Sequence, residues 1–303
     1  MQAIWGIDLG GTKIEGVVLT AVDNGFRELA RERIPTQSER GYDHIIKRIG
    51  ELIDHLKKNT GLEPECIGMG TPGTLDPISA LHKNANTTSL NGKPFKKDLE
   101  DRLKVSFSLA NDANCFAVAE ARMGAVVQGA PNATLVFGSI MGTGVGGGIV
   151  FDGKVWNGRQ GIAGEWGHSF LHESGGACYC GSVGCVETVI SGPALERYYR
   201  EQSGHKLSLR EIVNRYGKDQ DPIADQTVKR LIHFFGRGMA NIINILDPDA
   251  IVLGGGLGNI DLLYTEGVEA IKPFLFNPKL DTVILAPKLG DSAGVFGAAM
   301  LVA

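Results

Sequence analysis

A chain of 303 residues with 43% apolar and 21% charged residues carries enough hydrophobic material for a real core, which excludes a disordered chain as the default. Its 30 Lys plus Arg against 34 Asp plus Glu give a net charge of -4, so no global positive field exists to hold a nucleic-acid backbone or an anionic membrane. The 42 glycines are about twice the usual content of roughly 7%, and their lack of a three-residue period excludes collagen.

The length suits two domains of roughly 100 to 200 residues each. The amino terminus reaches Asp8 without a basic leader or a secretory apolar stretch and reads as a cytoplasmic start. The longest apolar stretch, Ile242 to Leu257, is broken by Asp247, Pro248 and Asp249, so no membrane span is expected. Ala3 to Asp8, Ile14 to Leu19 and Phe26 to Ile34 read as three strands, joined by Gly10-Gly11-Thr12-Lys13 and by a turn at Asp23-Asn24-Gly25. Ile45, Ile46, Ile49, Leu52, Ile53 and Leu56 keep helical spacing from an N-cap at Asp43 to Gly61. Cys66 to Gly70 and Val105 to Leu109 are strands ending in polar loops, at Thr71-Pro72-Gly73 and at Asn111-Asp112. A helix follows over Asn114 to Met123.

The opening pattern then returns. Leu135 to Phe137 leads through Gly142-Thr143-Gly144 with Gly146 into Ile149 to Phe151. A helix from Asp225 to Leu246 precedes a third unit, the strand Ala250 to Leu253 with Gly254-Gly255-Gly256. Repetition of whole strand-turn-strand units predicts two related α/β domains: a small one over 1–115, joined by a C-terminal helix from about Ala293, and a large one over 116–292.

Glycine turns between strands let backbone N–H groups approach a phosphate, because no Cβ intrudes and positive φ costs little. Asp8 to Lys13 adds a carboxylate able to hold magnesium, a hydroxyl and a cation. A tight hairpin whose glycines serve geometry alone is the plainer reading. Neither turn matches a Walker loop or a dinucleotide fingerprint, since a strand rather than a helix comes after each one. Asp112, at the end of an apolar strand, is the candidate general base, against the alternative of an Asx turn or helix cap. Cys66 and Cys115 read as core thiols. Cys178, Cys180 and Cys185 fall within eight residues, and His168 lies ten residues upstream of the first. A disulfide pairing leaves an odd cysteine, whereas three thiolates and one imidazole complete a closed, structural zinc site.

These motifs together resemble the ROK sugar kinases, on the two-domain actin-like ATPase (ribonuclease H-like) fold. The resemblance runs nearly end to end, through Gly6 to Lys13, Asn111 to Asn114, Gly161 to His168, Cys178 to Glu187 and Gly290 to Gly294. It implies an ATP- and Mg2+-dependent kinase that phosphorylates the C6 hydroxyl of a hexose in an interdomain cleft, with structural Zn2+ and Asp112 as base. Asp8, Gly10, Gly11, Thr12, Lys13, Gly142, Thr143, Gly144 and Gly146 would then hold the ATP phosphates, and Gly255, Gly256 and Leu257 would lie near the adenosine. The sugar would meet Gly73, Thr74, Asn84, Asn86, Asn111, Glu165, His168 and Glu187, with His168 offering one ring nitrogen to zinc and the other to the sugar. Segment Lys83 to Phe95 is most similar to the fructokinase and manno(fructo)kinase branch, which makes fructose the first acceptor. N-acetylglucosamine or N-acetylmannosamine is the alternative. The resemblance also implies a homodimer. The family includes sugar-sensing regulators, but those add a DNA-binding segment before the first phosphate turn, where seven residues stand here. A zinc-thiol redox sensor is a third reading.

Overall fold

The structure is a computed structural model of the chain, described over residues 3–23, 25–218 and 221–303. The expected turn around Asn24 therefore lies partly outside the described residues. Packing divides the chain into two units.

The first unit holds the chain up to Gln128, Gly148–Ala163 and Lys288–Ala303. In chain order it opens with β1 (Ala3–Leu9), β2 (Lys13–Val22), β3 (Gly25–Pro35), α1 (Tyr42–Thr60) and β4 (Cys66–Thr71). It continues with β5 (Thr74–Leu75), β6 (His82–Lys83), α2 (Phe95–Leu103), β7 (Ser106–Asn111) and α3 (Asp112–Arg122). The sheet order is β3-β2-β1-β4-β7; the first three strands are antiparallel neighbours, and β1, β4 and β7 are parallel.

The predicted apolar stripe of α1 is buried against this sheet. Gly16 on β2 makes the approach possible, because a Cβ there would lie 2.7 Å from Leu56. Helix α1 ends as expected at Gly61, whose φ of 69° suits glycine. Its N-cap is Gly41 rather than Asp43, which sits inside the first turn and faces the positive end of the helix dipole.

The second unit holds Gly129–Gly147 and Gly164–Pro287. After α4 (Ala125–Gly129) come β8 (Leu135–Met141), β9 (Val145–Phe151) and β10 (Lys154–Val155), so the chain passes from one unit to the other within β9. Then follow α5 (Val186–Ile190), α6 (Gly192–Ser203), α7 (Leu209–Arg215), α8 (Pro222–Leu246), β11 (Ala250–Gly254), α9 (Glu266–Ile271), β12 (Val283–Leu285) and, back in the first unit, α10 (Ala293–Met300). The second sheet runs β10-β9-β8-β11-β12, with β8, β11 and β12 parallel. Helix α8 starts three residues before the expected Asp225, because Asp221 caps it and Pro222 sits where a missing N–H costs nothing. The third glycine segment differs from the first two: a 3₁₀ turn (Gly256–Asn259), not a strand, comes after β11.

The division departs from a cut at residue 115, since 116–128, 148–163 and 288–292 also pack with the first unit. Close backbone approach explains this. Gly297 of α10 lies against the Cys115 carbonyl, where any Cβ would collide, and a Cβ on Gly148 would lie 2.6 Å from the Ala113 carbonyl oxygen. Helix α3 thus sits between α10 and the second half of β9.

Candidate functional site

In the first unit, β1, β4 and β7 run parallel, so the segments after them emerge at one edge of the sheet. Asp8 pairs in register with Gly70 and Thr71 with Asn111, which brings the first glycine turn, the Gly73-Thr74 turn and the Asn111-Asp112 pair to that edge. The carboxyl edge of an open α/β sheet is where such folds bind ligands.

The turn between β1 and β2 is shaped by Thr36 and Ser38, which carry no motif of their own. Thr36 Oγ1 donates to the Gly10 carbonyl at 2.7 Å and its N–H donates to the Thr12 carbonyl at 3.0 Å, while Ser38 Oγ donates to the Gly11 carbonyl at 2.7 Å. Three carbonyls are thereby occupied on the side of Thr36 and Ser38, an arrangement suited to presenting amides to an anion. Asp8 is walled by residues without bulk: a Cβ on Gly294 would lie 2.7 Å from its carboxylate, and one on Gly70 would lie 3.1 Å from it. Burial first, then the charges of Asp112 and Glu15, raise the Asp8 carboxyl to about 6 despite Lys13 and Arg33. Glu15 faces Asp8 directly across the β1/β2 ladder and is itself paired with Arg33 at 2.7 Å.

Asn111 and Asp112 divide two tasks. Asn111, not Asp112, caps α3: its Oδ1 accepts from the Asn114 N–H at 2.8 Å. Asp112 is the first helical residue, and its Oδ1 accepts from the Ala113 N–H at 2.8 Å. Protein surrounds its carboxylate on most sides while leaving it open to solvent, and this crowding raises its pKa above the usual value. The cap occupies one lone pair of the Asn111 Oδ1, while its amide N–H groups have no part in the cap.

The Gly73-Thr74 turn is held by β5 pairing with β6, Thr74 opposite Lys83. Gly73 has φ 73°, and a Cβ there would lie 2.6 Å from the Ala85 nitrogen. The exposed Asn84 takes φ 59°, and Asn91 fixes Ala85, between Asn84 and Asn86, by accepting from its N–H and donating to its carbonyl, both at 2.9 Å.

In the second unit the turn Gly142-Thr143-Gly144 joins β8 to β9, closed by the Gly142 N–H donating to the Gly144 carbonyl at 2.8 Å. Glu187, at the start of α5, accepts from the Val145 N–H at 2.9 Å through Oε2, and a Cβ on Gly144 would lie 2.6 Å from that oxygen. One Glu187 oxygen therefore braces the glycine turn. Trp166 donates its indole N–H to the Gly146 carbonyl at 2.9 Å, seating the half-buried Glu165 and His168 beside the same strand. Gly255 comes directly after β11 with φ 74°, and a Cβ on it would meet the backbone of Met141.

Gly142, Thr143, Gly256 and Leu257 line a cavity of about 1230 Å³ together with Glu196, Arg210, Tyr216, Lys218 and Asp261. Glu196 also braces this rim: its Oε1 accepts from the Leu209 N–H at 2.8 Å, tying α6 to α7. Glu196 lies on α6, Arg210 on α7, Tyr216 and Lys218 just after α7, and Asp261 in a 3₁₀ turn, segments with no local motif, so spacing could not reveal them.

His168, Cys178, Cys180 and Cys185 converge with all ligand atoms within 4.8 Å of one another. Cys178 Sγ lies 3.6 Å from His168 Nδ1, and Cys180 Sγ lies 3.6 Å from Cys185 Sγ. A tetrahedral zinc with Zn–S near roughly 2.3 Å and Zn–N near roughly 2.0 Å requires edges of roughly 3.6 to 3.8 Å, which these two edges match, and three thiols with one imidazole are the donor chemistry that metal takes. Hydrogen bonds from Ser182 pull Cys180 down to about 6, while burial pushes Cys185 up to about 12. The second His168 nitrogen, Nε2, shares a hydrogen bond of 2.9 Å with the Tyr179 hydroxyl. Tyr179, which lies inside the Cys178 to Glu187 motif but receives no role from it, thus occupies the ring nitrogen expected to face a sugar.

Among the described residues, no helix is long and apolar enough to cross a membrane. The ROK family profile matches residues 4–303. The N-acetyl-D-glucosamine kinase of Vibrio parahaemolyticus is 36% identical, and that of Pasteurella multocida is 36% identical, each over 98% of both chains. Among solved structures, the ROK hexokinase of Thermus thermophilus aligns with a TM-score of 0.86 and 32% identity, over 99% of this chain and 97% of that one. A ROK glucokinase from Streptomyces griseus, solved with glucose and AMPPNP, aligns with a TM-score of 0.75 and 28% identity, over 99% of each chain. With glycine turns, a carboxylate edge and a Cys3His cluster in the order its motifs require, the chain belongs to the ROK family, on the actin-like ATPase fold.

Proposed function

We propose that this ROK protein is an ATP-dependent sugar kinase that phosphorylates the C6 hydroxyl of a hexose, with N-acetyl-D-glucosamine as its preferred acceptor and Asp112 as general base. The observation that carries the reading is the shared carboxyl edge of β1, β4 and β7, which gathers a phosphate-type turn, a half-buried carboxylate and a crowded but open carboxylate. The acceptor oxygen attacks the γ-phosphorus, its proton passes to Asp112, and ADP leaves. A pKa raised by crowding strengthens Asp112 as proton acceptor.

Within the first unit, Asp8 and the turn Gly10 to Lys13 serve one side of the phosphates. Magnesium fits the Asp8 carboxylate, whose glycine walls leave room for it, and it supplies neutralisation of phosphate charge when bound. Within the second unit, Gly142 to Gly146 form the other phosphate turn, and the cavity beside Gly256 and Leu257 takes the nucleoside. Asn84, Asn86, Asn111, Glu165 and Glu187 are assigned to sugar hydroxyls. His168 serves the zinc cluster, which stiffens the loop from Glu165 to Glu187.

The choice of acceptor rests on the relatives, since those at 34–36% identity are N-acetyl-D-glucosamine kinases. Fructose, favoured by the Lys83 to Phe95 segment, is the second reading. A coupled ADP-release assay over N-acetylglucosamine, N-acetylmannosamine, glucose, mannose and fructose tests both. The highest kcat/KM with N-acetylglucosamine supports the proposal, a fructose preference reverses the order of acceptors, and no turnover with any sugar removes the kinase reading.

A further inference from the structure

Glu120 is fully buried, and its carboxylate is met by backbone N–H groups from three residues. Oε1 accepts from the N–H groups of Lys288 at 3.0 Å and Leu289 at 2.9 Å; Oε2 accepts from Ala125 at 2.7 Å and Lys288 at 3.1 Å. Gly124 is required beside it, since any Cβ there would strike the carboxylate. Such a carboxylate is expensive to bury and stays only where its hydrogen bonds are complete.

Two features give this anchor a purpose. Glu120 lies on α3, eight residues after Asp112, so it is rigidly joined to the proposed base. The segment it grips leads directly into Gly290-Asp291-Ser292-Ala293-Gly294, and Gly294 forms the wall against the Asp8 carboxylate. The far end of that segment is held as well: Arg31, which also stacks over Phe296, donates to Ser292 Oγ at 2.8 Å. Between these two attachments the strap is a single 3₁₀ turn, Gly290–Ser292, that leads into the first turn of α10 where Gly294 lies, so the entry of α10 beside Asp8 depends on how Glu120 and Ser292 are held.

We propose that Glu120 is a positioning residue for phosphoryl transfer: by clamping the strap Lys288–Gly294 to α3, it sets the Asp8 wall relative to Asp112. The proposal rests on the kinase reading for its catalytic half, whereas the clamp itself is a statement about the fold. Glu120→Gln keeps the shape of the side chain but replaces one acceptor with a donor facing N–H groups, so it must release part of the strap.

The test compares wild type, Glu120→Gln, Ser292→Ala and the core variant Leu99→Ala by hydrogen exchange, thermal unfolding and kinetics. Ser292→Ala loosens the strap without disturbing a buried charge, so it covers the case in which Glu120→Gln does not fold. Leu99→Ala calibrates plain destabilisation away from the strap. The expected result is faster exchange across 288–294 in both strap variants, with kcat lowered roughly 10- to 100-fold in Glu120→Gln at unchanged acceptor KM. Leu99→Ala lowers the thermal midpoint without that fall in kcat. Unaltered strap exchange overturns the clamp, and a kcat that tracks the thermal midpoint equally in all variants overturns the positioning role. If wild type shows no kinase activity, the proposed function falls, and exchange alone then decides the clamp.

Discussion

The charge of Asp112 reaches Asp8 and, after burial, is the largest influence holding the Asp8 carboxyl near 6. An acid on β1 and one at the start of α3, about a hundred residues apart in sequence, are therefore close enough for the charge of Asp112 to hold back ionisation of Asp8.

The effect on stability has a definite sign. Asp8 has a folded-state pKa of about 6 against an ordinary value of 3.8, so the folded protein binds its proton more tightly than the unfolded chain. Stability from this group is therefore highest below about pH 4 and falls as pH rises through about 6, by up to about 3 kcal/mol. In chelator-treated protein, Asp8→Asn should unfold at a higher temperature than wild type at about pH 7, with the gap closing as pH falls toward about 4. Thermal melts across that range check it, and a constant gap would refute it.

Asp112→Asn should lower kcat roughly 10²- to 10⁴-fold while leaving the circular dichroism spectrum unchanged. The fold survives because the cap of α3 is Asn111, not the substituted residue. Asn111→Ala should do the opposite in part, costing about 1 kcal/mol through the lost cap in addition to any loss of turnover. Chemical denaturation of the two variants separates them.

Glu187→Ala should raise the KM for ATP several-fold as well as that for the sugar, because the lost oxygen braces Val145 beside the Gly142–Gly144 turn. Initial-rate kinetics with each substrate varied separately gives the answer. An effect confined to the sugar would assign Glu187 to the acceptor alone.

Purified protein should contain about one zinc per chain, and Cys178→Ser should lose it. Elemental analysis measures the metal, and a melt with and without chelator measures its contribution to stability. Tyr179→Phe should retain the metal, since its hydroxyl touches only the outer nitrogen of His168.

Much of the fold is legible in the order of residues because it is local. Each glycine turn comes after an apolar run, the α1 stripe has helical period, and three of the four residues of the Cys3His cluster fall within eight residues. The parts that spacing does not reveal depend on tertiary neighbours. Thr36 and Ser38 serve the first turn from beyond β3, Gly294 reaches Asp8 from the far end of the chain, and the cavity rim is gathered from α6, α7 and the segments after α7 and β11. The alternative of Asp112 as a cap fails for a one-residue reason: the adjacent Asn111 takes that task. The 3₁₀ turn after Gly255 defeats the expected repetition because a glycine run marks a turn without specifying the next element.

The parallel order of β1, β4 and β7 also separates the chemistry from the chain that links it. Asp8, Gly73 and Asp112 all sit at one end of their strands, whereas the linkers Gly61–Glu65 and Lys104–Val105 enter β4 and β7 from the opposite end. Lengthening either linker would add chain on the face remote from the proposed base and phosphate turn. A protein built this way can vary its outer contour freely while its reactive edge is inherited intact.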